Sequence, residues 1–336
     1  MAEGSRRLRF AICGMFANTP AAIVKAAQDA ERLGFDAYWA NDHPNRSMDC
    51  WAQLTMLAMA TESIRLVSLV SCIYYRSPFL LARQAADVDA ISGGRLVLGV
   101  GIGDDVPEFD QMCLEFPRLK ERQEALEETL AIVRGLWQGE PFSFEGKHFR
   151  VQEAAMRRLP VQQPYVPVLI GGGGERVTLG QVARLADVSN FAPHEWSGGA
   201  YEVADVKRKY EALQRHCEQV GRPYESVLRT HYSPLLTLAE DHGSLQHKRA
   251  VARIPDASLR QELVFATPAE AIEHYQALAD AGVQYFLVSI NFEDEETVGL
   301  FAEEVVPAVH LPAVHSTAGQ PGPAARRPGD PGAAGL

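Results

Sequence analysis

Apolar and polar positions alternate between two periods from one end of the chain to the other. Short apolar runs at Leu8 to Cys13, Phe35 to Ala40, Arg65 to about Cys72, Arg95 to Val100, Pro167 to Ile170, Ala186 to Phe191, Val227 to Leu235 and Tyr285 to Ile290 read as buried strands. Helix-period stretches lie between them. Pro20 to Leu33 is one, with Thr19 as N-cap, Pro20 at the first helical position and Gly34 as the stop. Another runs from Pro78 to Ile91, and further helices start near Glu175, Tyr201, Pro268 and Glu295. Eight strands alternating with helices over 336 residues favour a closed, all-parallel (β/α)8 barrel, a TIM barrel. A doubly wound open sheet is the competing architecture, weakened because no Gly-x-Gly-x-x-Gly follows the first strand.

The pattern is interrupted in a few places. Ile102 to Pro117 is inserted after the fourth strand, on the catalytic face of such a barrel, and is expected to shape a substrate pocket. Phe142 to Gln163, before the fifth strand, reads as a hairpin and a proline-punctuated link at the opposite end. Asp241 to Leu263 is irregular. Ser316 to Leu336 is rich in Gly, Pro and Ala, so residues 1–312 are expected to form the barrel and 313–336 a disordered tail.

Chemistry gathers where strands end. Ser92, Gly93 and Gly94 stop a helix, Leu96 to Leu98 form a strand, and Gly99, Gly101 and Gly103 then leave one face of its end bare before Asp104 and Asp105. A flat ring could lie on that lane; a glycine-weakened strand and loop is the other reading. Asp104 beside an apolar pocket suits a general acid, although it or Asp105 could equally cap a turn, and Glu108 reads as an ordinary loop residue. His43, after Asp42 at the end of the second strand, either exchanges a proton with a reacting centre or merely caps the strand. Tyr74 and Tyr75 could wall a cleft, and Arg76 could hold an anion or pair with a loop carboxylate. Gly171 to Gly174, between a strand and a helix, could offer backbone N–H groups to an anion, without the Lys-Ser/Thr ending of a P-loop. His194, Glu195, Trp196 and Phe292 are candidate pocket walls, and Phe16 joins Tyr74, Tyr75 and Trp196 as aromatics suited to a moderately apolar substrate.

Net charge of −11 argues against nucleic acid or an anionic membrane as partner, and groups such as Lys207-Arg208-Lys209 read as solvated helix faces. No apolar run approaches the roughly 20 residues of a bilayer span, and no signal-peptide core follows Arg6-Arg7, so a cytoplasmic protein is expected. Five scattered cysteines without Cys-x-x-Cys indicate neither a disulfide framework nor a zinc site.

Taken together, Asp42-His43, Tyr75-Arg76-Ser77-Pro78, Asp89-x-x-Ser-Gly-Gly-Arg95 through Gly103, Leu136-Trp137 ahead of Phe144-Glu-Gly146, and Gly171 to Gly174 before Ala186-Asp187 resemble the luciferase-like monooxygenase superfamily over about Leu8 to Pro307. The Asp42-His43 pair and the Gly-x-Gly-x-Gly-Asp104 exit look most like its branch that uses the deazaflavin coenzyme F420. That resemblance implies hydride transfer to or from a small organic molecule, with reduction of a C=C, C=N or C=O bond expected. It places His43 near the reactive ring carbon, Asp104 as proton donor, and Gly172, Gly173 and Gly174 at the cofactor phosphate. It also implies a non-proline cis peptide at Ser71-Cys72 or Cys72-Ile73 beneath the ring, with Asp42, Gly101 and Gly103 close to the cofactor. An FMN-dependent monooxygenase served by a separate reductase is the alternative, and a homodimer is expected from the resemblance.

Overall fold

The structure is a computed structural model that describes residues 8–251 and 263–312. Its elements in chain order are β1 (Arg9–Gly14), α1 (Pro20–Arg32), β2 (Ala37–Ala40), α2 (Cys50–Ala60), β3 (Arg65–Ser68), β4 (Ser71–Cys72), α3 (Pro78–Ser92), β5 (Leu96–Gly101), α4 (Val106–Gln111), α5 (Leu119–Leu136), β6 (Phe142–Glu145), β7 (Arg150–Ala154), β8 (Val168–Gly171), α6 (Thr178–Leu185), β9 (Val188–Phe191), α7 (Val203–Gln219), β10 (Leu228–Leu238), α8 (His242–Val251), β11 (Leu263–Ala266), α9 (Pro268–Asp280), β12 (Tyr285–Ile290) and α10 (Glu295–Leu300).

Parallel pairing runs β1-β2-β3-β5-β8-β9-β10-β12 and closes from β12 back onto β1, so eight strands make a barrel. Ala11, Ala37, Trp39, Val67, Leu169, Val188, Tyr285 and Leu287 pack together as the filling of its interior. Alternate residues of the same strands, such as Phe10, Tyr38, Leu66, Leu98, Ile170 and Phe286, belong to the larger apolar layer shared with the helices. This is the two-faced burial that made the strands read as continuous apolar runs.

Local signals account for the element ends. Thr19 Oγ1 accepts from Ala22 N at the start of α1, and Gly34 and Gly93 follow or cap helices at φ +79° and +67°. The Asp89 to Arg95 motif locks the base of the barrel. Asp89 is fully buried and accepts from the N–H groups of Val161 and Gln162, while the Arg95 guanidinium donates to the carbonyls of Ala58, Thr61, Ile64 and Ser92. The link after the β6–β7 hairpin is thereby held at the end away from the catalytic face.

The third strand departs from its expected course. It does not run unbroken to Cys72; β3 stops at Ser68, Leu69 and Val70 bulge out, and β4 resumes beside Val100 and Gly101. The cis bond lies within that bulge, at Leu69–Val70, rather than at Ser71-Cys72 or Cys72-Ile73. The segment expected to be irregular from Asp241 holds α8, and β11 pairs with Leu235–Leu238 beyond the barrel proper. Residues 252–262 of that segment and the expected tail at 313–336 lie outside the described residues.

Candidate active site

The strand exits of β1, β2, β3, β5, β8 and β9 share one rim, and most of the residues singled out in the sequence stand there. His43 follows β2, with a side chain about one third exposed, and its Nδ1 lies 3.0 and 3.1 Å from the two carboxylate oxygens of Glu108. Glu108 sits on α4 and is 1 % exposed. A carboxylate only accepts, so Nδ1 is the donor in this contact, and Nε2 has no protein partner among the described residues. Tyr75 Oη donates to the same carboxylate at 2.9 Å, and Arg46 Nε stands 3.8 Å from it.

Glu108, an ordinary loop residue by its sequence, is the buried partner of His43. It lies on a six-residue helix, too short for a periodic pattern to show which face is buried. Asp105 caps that helix through Glu108 N and pairs with Arg46. His43, Asp105 and Glu108 place potential metal-ligating atoms within 4.8 Å of one another, but the pairing of Asp105 with Arg46 already balances one of those charges.

Asp104 leaves β5 at the same rim. Burial pushes its carboxyl above the ordinary carboxylate range, Asp105 and Glu108 push in the same direction, and His43 and Arg46 oppose the shift. A carboxyl so placed retains its proton to higher pH, which suits a donor.

Asp42 is committed inside the protein. Its carboxylate accepts from Ser71 Oγ at 3.1 Å, Cys72 N at 3.0 Å and both terminal nitrogens of Arg76, and the ion pair is almost wholly buried. Of the two uses open to Arg76, the structure shows pairing with a carboxylate. Ser71 Oγ also accepts from Trp51 Nε1 at 3.2 Å, and Ile73 N donates to Gly101 O at 3.1 Å. Asp42, Ser71, Cys72, Ile73 and Arg76 therefore form a buried tie that fixes the strand beyond the bulge. Burial raises the Cys72 thiol to about 12, so it remains a neutral thiol.

The glycine lane is filled by protein. A Cβ on Gly101 would come 2.5 Å from Val70 Cγ2, one on Gly171 3.0 Å from Val70 Cγ1, and one on Gly99 would strike the Ser68 carbonyl. The glycines of β5 and β8 thus make room for the bulge of the third strand, and Val70, half-buried, presents the surface on which a ring could rest. Gly103, at φ +77°, packs against Phe109 and Cys72.

The second glycine tract is more selective than its composition suggests. Gly172 N donates to Asn190 O at 2.8 Å and Gly173 N to Ser197 O at 2.6 Å, so two of the three expected N–H groups already face protein. Gly174 is exposed, and its N–H makes no hydrogen bond among the described residues.

Around the mouth, Tyr74 and Tyr75 lie against Phe109, with ring centroids 5.8 and 5.5 Å away, and Phe16 is 60 % exposed at φ +68°. His194 is buried beside the Tyr232 ring at 5.8 Å. Trp39 meets Tyr232 edge-on at 5.7 Å, and its buried indole N–H has no partner among the described residues. Trp196 belongs to the short turn Glu195–Ser197, and its side chain lies outside the described residues.

A family model described as luciferase-like monooxygenase matches residues 8–233. The chain belongs to that family. Among curated luciferase-like relatives, the F420-dependent glucose-6-phosphate dehydrogenase of Amycolatopsis mediterranei is 28 % identical over 86 % of this chain and 94 % of its own length. Among solved structures, the coenzyme F420-dependent tetrahydromethanopterin reductase of Methanopyrus kandleri superposes with a TM-score of 0.74 at 21 % identity, covering 90 % of this chain and 99 % of that one. The monooxygenase RslO1 of Streptomyces bottropensis follows the same fold with a TM-score of 0.73 at 21 % identity, over 89 % and 99 % of the two chains. No helix among the described residues is long and apolar enough to cross a membrane.

Proposed function

We propose that this chain is an F420-dependent oxidoreductase acting on a small organic substrate, in keeping with the F420-dependent relative that aligns along nearly its whole length. The observation that carries the reading is the His43–Glu108 contact at 3.0 Å beside a carboxyl of raised pKa, at the rim where Val70 stands over the glycines of β5 and β8.

The residues present fit a ring-and-phosphate coenzyme. Val70 offers an apolar platform, the Trp39 indole N–H and the Tyr74 hydroxyl are buried polar atoms awaiting partners, and the Gly174 N–H is unspent just before the turn that leads into α6. When bound, the deazaflavin supplies or accepts the hydride. Glu108 orients the His43 ring and stabilises it when it is charged, so Nε2 can take a proton from an alcohol or return one to a forming alkoxide. Asp104 holds a second proton for a reduced C=C or C=N bond. The buried Asp42–Arg76 tie keeps the bulge in place beneath these groups. Homodimerisation, a separate enzyme that reduces the cofactor, and a cytoplasmic setting belong to the same proposal; the five cysteines are unpaired, as suits a reducing compartment.

Fluorescence titration of the purified protein with F420 and with FMN tests it. Selective binding of F420, followed by stoichiometric hydride transfer to a carbonyl or alkene acceptor, is the expected result. Tight binding of reduced FMN with oxygen-dependent product would overturn it.

A further inference from the structure

Lys209 was read from sequence as part of a solvated basic group, yet its side chain is only 3 % exposed. Val206, Lys209, Tyr210 and Leu213 fall at helical spacing along the buried face of α7, which carries Lys209 inward behind the second glycine tract. Its stem packs on Gly173, where a Cβ would lie 3.2 Å from Cδ, and Nζ donates to Gly173 O at 2.8 Å. One Glu175 carboxylate oxygen is shared between Arg208 at 2.9 Å and the Lys209 ammonium at 3.9 Å, and the Phe191 ring centre lies 6.0 Å from Nζ. Gly173 O is the one hydrogen-bond acceptor of this buried ammonium among the described residues, so the lysine and the glycine carbonyl hold each other in place.

The peptide between Gly173 and Gly174 is trans, so its carbonyl and its N–H point in opposite directions. With the Gly173 carbonyl held inward by Lys209, the Gly174 N–H is turned outward, and Gly174 is the exposed residue of the pair. The N–H groups of Gly172 and Gly173 are tied elsewhere, so this single peptide orientation decides whether the turn offers a donor to an anion.

We propose that Lys209 is a positioning residue for a phosphate ester: it sets the Gly174 N–H toward the ligand and supplies a buried positive charge behind the start of α6. The inference rests on the reading of the site as one for a phosphorylated deazaflavin, and it extends that reading by naming what recognises the phosphate.

The test uses the full-length protein with K209M, and with K209Q, which keeps a donor but no charge. Binding of F420 and of its phosphate-free deazaflavin chromophore is followed by fluorescence, with FMN and riboflavin as a parallel pair, and melting temperatures report folding. Both variants should weaken F420 by about tenfold or more, the size expected when a charge-assisted hydrogen bond loses its geometry. The phosphate-free chromophore should change by less than about twofold, within what unaltered ring contacts allow. Inorganic phosphate should compete with F420 in the wild type and lose that effect in the variants. Equal losses for both members of a pair, or no loss in folded variants, would overturn the assignment. If the wild type binds FMN and not F420, the deazaflavin reading fails, and the FMN–riboflavin pair still decides the role of Lys209. If neither phosphorylated compound binds more tightly than its phosphate-free partner, Lys209 has no such role.

Discussion

The imidazole of His43 and the carboxylate of Glu108 meet at 3.0 Å across 65 residues of sequence, one leaving β2 and the other on the helix after β5. Separating them should reveal what each does. H43A is expected to lower kcat/KM by about 100-fold or more, as loss of a general acid–base group does. E108Q keeps an acceptor for Nδ1 but removes the negative charge that stabilises the ring when it is charged, a difference of about 1.5–3 kcal/mol, and should lower kcat about tenfold to a hundredfold while leaving the Kd for cofactor nearly unchanged. Steady-state kinetics alongside cofactor titration checks both, and equal activity of E108Q and wild type would remove Glu108 from the mechanism.

Asp104 gives a pH dependence of definite sign. Its carboxyl is held above the ordinary range, so the folded chain binds this proton more tightly than the unfolded chain does. The stabilisation is fully present below the unfolded value of about 3.9 and is lost as pH rises through the folded value. D104N, with no charge to bury, should therefore melt above the wild type at about pH 8 and converge with it near about pH 4, while its turnover falls. Parallel melting curves across that range would contradict the placement.

Gly101 and Val70 form a steric pair, since a Cβ at 101 would stand 2.5 Å from Val70 Cγ2. G101A should cost about 1–3 kcal/mol through overpacking and weaken cofactor binding, and V70A in the same chain should recover much of the stability. G99A meets the Ser68 carbonyl, a backbone atom that cannot be trimmed, so the same second change should not rescue it. Chemical denaturation of the four variants tests the contrast.

His231 is fully buried, and burial pushes its imidazole from 6.5 down to about 3. The stabilisation from this depressed value is present above the unfolded value and is lost as pH falls through it toward the folded one, at about 1.4 kcal/mol per pH unit. H231N should flatten the acid limb of the stability curve between about pH 6 and pH 4. An unchanged slope in the variant would locate the acid sensitivity elsewhere.

Much of the barrel was legible because its strands are buried on two faces and its helices carry explicit caps: Thr19, Pro20, Gly34 and Gly93 mark ends that the structure retains. What escaped the pattern depends on contacts across the sheet. No local signal told that Gly99 is small to admit the Ser68 carbonyl and Gly101 to admit Val70, or that the cis bond would fall at Leu69–Val70. Glu108 and Lys209 were hidden for a related reason. Each is a charged residue in a polar stretch, and only tertiary placement turns it inward, although helical spacing around Lys209 held the clue.

The five residues from Asp104 to Glu108 carry the carboxyl of raised pKa, the cap of α4 and the partner of His43, all on the insertion that borders the mouth. In many barrels such a loop can be exchanged at little cost to the reaction. Here, grafting a foreign loop to broaden what the enzyme accepts would also remove the group that orients its histidine. Changes of preference should therefore come from other strand exits, at Phe16 after β1 or around His194 after β9, where side chains can vary while the chemistry stays intact.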